Sequence, residues 1–363
     1  MNSLHFIGPL AAFLITLLVI PVLRKIAFRI NMVDKPNLRK VHTTPIPLVG
    51  GVGIFIATTM ALGLALPFEF DILGFKNIYF AISILLMMGV IDDFFELRAT
   101  MKLAIQLILA HFIYSQGIKI ESFHGIFGLY EMAEWMQYGL TVVVIAGAVN
   151  AFNLMDGIDG LAAGLAIAGL TVFTFLAILT NQYLLVLIFV IYIGGLLAFL
   201  RFNLSKSQKV FMGDAGSLMI GFILVVSGIR LIQAAQSTTN ISLVILGVMA
   251  VMLVPVFDAL RVFRRRVKSG KSPFSADKTH LHHLVLTTGL RHKASSLGIV
   301  GLMTGILAIG FISYHVVGLT IAFVAMLVLF SVATTILQFH NRLMLWKNKI
   351  KSMEISSDIS PRE

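Results

Sequence analysis

Two adjacent carboxylates, Asp92 and Asp93, stand in the stretch Gly89-Val-Ile-Asp-Asp-Phe-Phe-Glu-Leu-Arg98. Neighbouring carboxylates repel, and at the edge of an apolar segment the repulsion is poorly screened. The pair therefore requires a divalent cation, a bound proton or basic neighbours such as Arg98 and Lys102. Magnesium is a hard cation that one or two carboxylates can hold when phosphate oxygens complete its shell. A second run, Asn150-Ala-Phe-Asn-Leu-Met-Asp-Gly-Ile-Asp-Gly160, concentrates amides, acids and glycines between two apolar stretches. Such a composition suits unwound backbone lining a polar cavity. Asn153 could offer a carbonyl oxygen to a metal, while Asn150, Asp156 and Asp159 could hydrogen-bond a nucleotide. An Asx-rich capping turn between helices would use the same residues.

A third run, Val210-Phe-Met-Gly-Asp-Ala-Gly-Ser217, places a lone Asp214 where a new apolar stretch begins. Asp214 and Ser217 have the spacing of a loosened capping box, so an ordinary N-cap rivals a functional role here. Gly213 and Gly216 would let a phosphate approach backbone amides at a helix start. The longest polar stretch carries Arg261, Arg264, Arg265, Arg266, Lys268 and Lys271, then His280, His282 and His283. The arginines suit anchoring beside a membrane span, with Arg265 also a candidate for substrate binding. The imidazoles suit phosphate binding, proton transfer or metal ligation. A closed transition-metal cage is the weaker choice, because the chain has no cysteine and no Glu lies nearby. In Val33-Asp-Lys-Pro-Asn-Leu-Arg-Lys-Val-His-Thr-Thr-Pro-Ile-Pro-Leu-Val-Gly-Gly51, proline fixes the path and Arg39, Lys40 and His42 could face phosphates.

The elements that position these residues must be solvated by lipid, since 58% of the 363 residues are hydrophobic and only 12% are charged. A helix needs roughly 20 apolar residues to cross the hydrocarbon core. Runs free of Asp, Glu, Lys and Arg occupy 1–23, 48–68, 77–91, 103–118, 135–155, 160–200, 215–229, 231–257 and 294–341. Splitting 160–200 at Thr180-Asn181-Gln182 and 294–341 at Tyr314 to Gly318 predicts an all-α polytopic protein of about eleven transmembrane helices. The first reads as a retained helix rather than a cleaved signal, and 117–135 as an amphipathic interfacial piece. Residues 1–345 form a single transmembrane catalytic domain and 346–363 a polar, disordered cytoplasmic tail.

Of the 28 Lys and Arg, only Lys76, Lys119 and Arg230 fall on one side of this arrangement. Basic residues accumulate in cytoplasmic loops, so the amino terminus is expected outside, the carboxyl terminus inside, and all five motifs on the cytoplasmic face. The net charge of +11 follows from the same bias and requires no nucleic acid. A homodimer is compatible with the sequence.

Taken together and in this order, the five motifs resemble the polyprenyl-phosphate sugar-1-phosphate transferases over nearly the whole chain. Pro-Ile-Pro-Leu-Val-Gly-Gly and Ser-Pro-Phe-Ser-Ala-Asp-Lys-Thr-His-Leu-His-His are most similar to the bacterial branch acting on undecaprenyl phosphate. The resemblance implies UDP-N-acetylglucosamine as donor, Mg2+ or Mn2+ as cofactor, undecaprenyl-diphospho-N-acetylglucosamine and UMP as products, and a place in the bacterial inner membrane. It implies a role in starting O-antigen or enterobacterial common antigen. It further implies Asp92 and Asp214 as metal ligands with Asn153 close by, and Asp93 near the lipid phosphate. The Asn150 to Asp159 segment would hold uridine and ribose, and the histidines the donor phosphates. Relatives using a cell-wall pentapeptide precursor have Lys where this chain has Glu96 and three consecutive His where Leu281 intervenes, which argues against that substrate. Two rivals remain: initiation of teichoic acid by the same reaction, and an ion-coupled transporter. A transporter would place its acids near the midplane and show matching halves.

Overall fold

The computed structural model describes residues 4–36, 44–65, 73–272 and 279–359. In lipid every backbone amide must be paired within its own segment, so uncharged runs of this length become helices. Their order is α1 (Leu4–Arg29), α2 (Gly50–Ala65), α3 (Leu73–Phe95), α4 (Ala99–Ser115), α5 (Glu134–Asn153), α6 (Leu161–Leu179), α7 (Tyr183–Asn203), α8 (Gly213–Ala235), α9 (Ile241–Lys268), α10 (Leu281–Leu286) and α11 (His292–Ile359). The only two strands among the described residues, β1 (Val33–Asp34) and β2 (Ile46–Pro47), pair antiparallel with Val33 opposite Pro47. The protein is thus an all-α multi-pass membrane protein. Eight of its described helices are long and apolar enough to cross a membrane, and α2 and α4 are shorter apolar helices. The two predicted divisions hold: α6 ends at Leu179 before α7 starts at Tyr183, and α11 is interrupted at Gly318, where φ is 80°.

The short run 77–91 borrows flanking residues in a 23-residue helix that takes in Lys76, Asp92 and Asp93. The 117–135 stretch is an irregular loop with a 3-10 turn at Ile126–Gly128 and a bridge between Ser122 and Glu131. One expectation needs correction: the segment after Trp346, read as disordered, continues α11 in helical form to Ile359, so the polar composition ends the apolar span without ending the helix.

The helix that organises the molecule is α8, buried on all faces and packed against α2, α3, α5, α6 and α9. A helix apolar all round is the sequence signature of such a central position. At its amino-terminal end α3 comes so close that a Cβ on Gly89 would run into the backbone of Ala215. Between α7 and α8 the chain pairs with the stretch after β2: the Phe211 amide donates to the Pro47 carbonyl at 2.9 Å, and the Gly50 and Gly51 amides donate to the carbonyls of Phe211 and Met212 at 2.9 Å. Loops far apart in sequence are thereby laced together at one end of the helices.

Candidate active site

The last turn of α3 points Asp92 and Asp93 toward the start of α8. Asp93 accepts hydrogen bonds there from the amides of Asp214 at 2.9 Å and Ala215 at 3.3 Å. The first amides of a helix have no partner within it, and a carboxylate is the natural acceptor at that positive end. Asp214 therefore does not cap its own helix, as its spacing to Ser217 suggested; Asp93 does so from α3, and these amides are engaged rather than open to a phosphate. Gly213 makes the approach feasible: its φ is 73°, and a Cβ there would meet Asp93 Oδ2 at 2.5 Å.

With its amide held, the Asp214 side chain swings toward Asp92. Lys102 Nζ, from the first turn of α4, lies 2.6 Å from Asp92 Oδ2 and 3.2 Å from Asp214 Oδ2. Asp92 is buried, and its Oδ1 also accepts the Leu97 amide at 2.8 Å. Two carboxylates from different helices thus converge on one cation. Arg98, the other expected neutraliser, serves as the N-cap residue of α4.

The Asn150 to Gly160 motif divides into two parts. Helix α5 runs through Asn153, so only residues 154–160 are non-helical. Asn150 is tied to Gln106 of α4 and donates to the Ala146 carbonyl at 2.8 Å. Asn153 accepts the Ser217 hydroxyl through Oδ1 at 2.6 Å. Neither amide is among the cavity-lining residues; both join helices behind the carboxylates. Asp156 and Asp159, in the loop, do line the cavity. Burial pushes the Asp156 carboxyl well above the ordinary range, and the nearby charges of Asp214, Asp93 and Asp159 push it further. Burial acts the same way on Asp159, but His292 and Lys209 outweigh it and hold that carboxyl below the usual value. Lys209 Nζ is 2.6 Å and His292 Nδ1 3.5 Å from Asp159 Oδ2.

The three expected histidines have different positions. His283 lines the cavity, whereas His280 and His282 are buried beside it with their rings stacked 5.9 Å apart. His282 presses on Gly157, where any Cβ would collide with its ring. Burial and the neighbouring imidazoles push the His282 pKa down to about 3, so its ring is neutral. Arg265 is exposed in the last turn of α9 and does not line the cavity. Arg39, Lys40 and His42 lie outside the described residues.

These groups surround one cavity of about 880 Å³, large enough for a nucleotide-sized ligand. Residues from the β1 loop, the α3 end, the α5–α6 loop, the α8 start and α10 all contribute to it. Among the described residues its wall holds seven acidic side chains (Asp34, Asp92, Asp93, Glu96, Asp156, Asp159 and Asp214), with Asp156 pushed toward its neutral form, against three lysines (Lys35, Lys102 and Lys209). An anionic substrate entering such a wall requires added positive charge. The Asp92 and Asp214 pair fits a magnesium-type ion, which takes few protein carboxylates and leaves the remaining positions to phosphate or water oxygens. Among the described residues no three His, Cys, Asp or Glu side chains converge as a closed metal cage.

Sequence reasoning missed Lys209, His292, Gln106 and Asp258. Lys209 and His292 resemble ordinary loop bases until Asp159 is seen between them. Asp258 carries one readable sign, an acid at the end of an apolar run with Arg261 three residues on.

Fold and site together define a helical membrane protein with an acid-rich cavity at one end of its helices. Residues 75–232 match glycosyl transferase family 4, and the chain belongs to that family. It is 37% identical over 305 residues, 83% of each chain, to a protein of Bacillus subtilis (strain 168) described as a probable undecaprenyl-phosphate N-acetylglucosaminyl 1-phosphate transferase. It is 32% identical to the undecaprenyl-phosphate alpha-N-acetylglucosaminyl 1-phosphate transferases of Escherichia coli (strain K12) and Yersinia pestis. Those matches cover 78% of this chain and 77% of the former protein, and 77% of this chain and 76% of the latter.

Proposed function

We propose that the protein transfers N-acetylglucosamine 1-phosphate from UDP-N-acetylglucosamine to undecaprenyl phosphate, releasing UMP, at the cytoplasmic face of a bacterial inner membrane. The observation that carries this reading is the convergence of Asp92, Asp214, Asp156, Asp159 and His283 on a single cavity. The relatives' names support the lipid acceptor and the transferred group. The basic bias of the loops at the cavity end supports the orientation. A reporter fused after Lys271 should report cytoplasm and one fused within 119–131 the outside; matching signals would refute it.

A phosphate oxygen of the lipid attacks the sugar-bearing phosphorus of the donor, and the bond from that phosphorus to the UMP oxygen breaks. Such a transfer is mainly a matter of placing anions in line and neutralising them. Asp92 and Asp214 would hold Mg2+ or Mn2+, which when bound supplies that neutralisation at the donor diphosphate. Lys102, bonded to both carboxylates, offsets their mutual repulsion. Asp93 fixes the start of α8, and Asp214 with it. Asn153, whose Oδ1 accepts the Ser217 hydroxyl, does not line the cavity and would have to turn toward it to join the ligand set. His283, Lys209 and His292 face the cavity as contacts for phosphate or sugar oxygens, and Asp156 as a contact for the nucleoside.

Purified protein given radiolabelled UDP-N-acetylglucosamine and undecaprenyl phosphate should release UMP and label the lipid only when Mg2+ or Mn2+ is present. Absence of lipid label with both ions would overturn the reading. The product would begin O-antigen or enterobacterial common antigen. A second reading, initiation of a teichoic acid by the same transfer, is favoured by the 37% identity to the Bacillus subtilis protein against 32% to the Escherichia coli one. Restoration of the missing polymer in strains lacking one or the other initiating enzyme separates the two.

A further inference from the structure

The largest piece of buried polar chemistry outside the cavity centres on Asp258, a fully buried residue of α9. Its Oδ1 accepts from Arg261 Nη2 at 2.6 Å and from the Leu281 amide at 3.0 Å, and its Oδ2 lies 2.9 Å from His280 Nδ1. Arg261 Nη2 also donates to the Thr279 carbonyl at 2.6 Å. One carboxylate and its ion-pair partner therefore hold three successive residues, 279, 280 and 281, immediately before and at the start of α10.

A buried ion pair contributes little to stability by itself, because desolvation offsets the attraction. What it can supply is a fixed geometry, and among the described residues the pair's hydrogen bonds outside α9 go to the same short segment. Helix α10 has six residues, too few to persist without tertiary support. Its amino-terminal amide is held by a carboxylate from another helix, the same device with which Asp93 holds α8. The two helices so held are those that place Asp214 and His283 at the cavity. As acceptor, Asp258 fixes a proton on His280 Nδ1 and leaves Nε2 buried without a hydrogen-bond partner. That ring is thus fastened at one side only, in the manner of an anchor.

We propose that Asp258, with Arg261, is a positioning residue for the transfer: it locks the start of α10 so that His283 is held in the cavity where the donor enters. The kinetic part of this inference rests on the function proposed above; the structural part does not.

The test uses the full chain in detergent or nanodiscs. Asp258→Asn keeps the shape and one acceptor but loses the charge that holds Arg261 and inverts the bond to His280. Hydrogen exchange in residues 279–288 should rise about tenfold or more, the scale of a lost charge-assisted hydrogen bond, with the remaining helices unchanged. KM for UDP-N-acetylglucosamine should rise by about tenfold, while KM for undecaprenyl phosphate stays near wild type. Arg261→Gln, which leaves the Asp258–His280 contact in place, should shift both readouts in the same direction by less, and serves where Asp258→Asn does not fold. Unchanged exchange in 279–288 for the variants would overturn the proposal, as would equal effects on both KM values. A wild-type protein inactive on this donor would sink the proposed function alone, leaving exchange to decide the role of Asp258.

Discussion

At the loop end, between α4 and α5, a hollow of about 520 Å³ is lined by Lys119, Glu121, His124, Glu131 and Gln236. At the other end of the same helices, Asp92 and Asp214 share the single ammonium of Lys102. The residue types are alike, but the accounting of charge differs. Glu121 is partly exposed, accepts from Gln236 Nε2 at 2.8 Å and has Lys119 3.8 Å away, so water and its own partners satisfy it. Asp93, in contrast, sits on the first amides of a largely buried helix, with Asp214 aimed beside it. Acidic side chains alone do not mark a site. An excess of them, fixed by buried backbone and facing one cavity, does.

The comparison can be broken most decisively by charge removal. Asp92→Asn and Asp214→Asn should each lower transfer by about a thousandfold at ordinary magnesium concentration, the order expected when a ligand charge is lost. Both proteins should still insert and purify. UMP release measured against magnesium concentration tests this, and near-normal rates in both variants would remove the metal assignment.

Asp93→Asn should act differently. An amide can accept only through its oxygen, so one of the two α8 amides would face an N–H instead, costing about 1–3 kcal/mol. Thermal midpoint and turnover should fall together, with the magnesium requirement changed less than in the other two variants. A normal midpoint would show that Asp93 does not hold α8.

A smaller effect concerns acid. His282 is held neutral with its pKa near 3, against an ordinary 6.5, so the unfolded chain binds a proton more readily than the folded one. Its share of stability is complete above about pH 6.5 and is lost as pH falls toward 3, at up to about 1.4 kcal/mol per pH unit. Thermal midpoints from pH 7 to 5 should fall less steeply in His282→Gln than in wild type; equal slopes would refute the assignment. The smallest effect belongs to the loop end. Glu121→Gln should change stability by no more than about 0.5 kcal/mol and leave turnover unaltered. A marked loss of transfer would mean that the two ends are coupled.

The sequence by itself determined the helices and the motifs. Uncharged runs of spanning length leave the backbone no alternative to helix, and the two unusually long runs divide at Thr180 to Gln182 and at Gly318, where turn-type residues stand. Asp92, Asp93, Asp156, Asp159, Asp214 and His283 were also legible, because acids and imidazoles at the ends of apolar runs need a reason to be there. Tertiary structure alone decided what each of them does. Asp93 became the cap of α8 and Asp214 did not, since only packing brings the end of α3 onto the start of α8 through Gly89 and Gly213. Asn150 and Asn153 turned inward to Gln106 and Ser217, because α5 stays helical through Asn153 and faces them toward neighbouring helices. Lys209 and Asp258 entered the account only through partners 50 and 22 residues away in sequence. Periodicity and composition report forces acting along a few turns of chain, whereas a side chain's hydrogen-bond partner depends on which distant helix is packed against it.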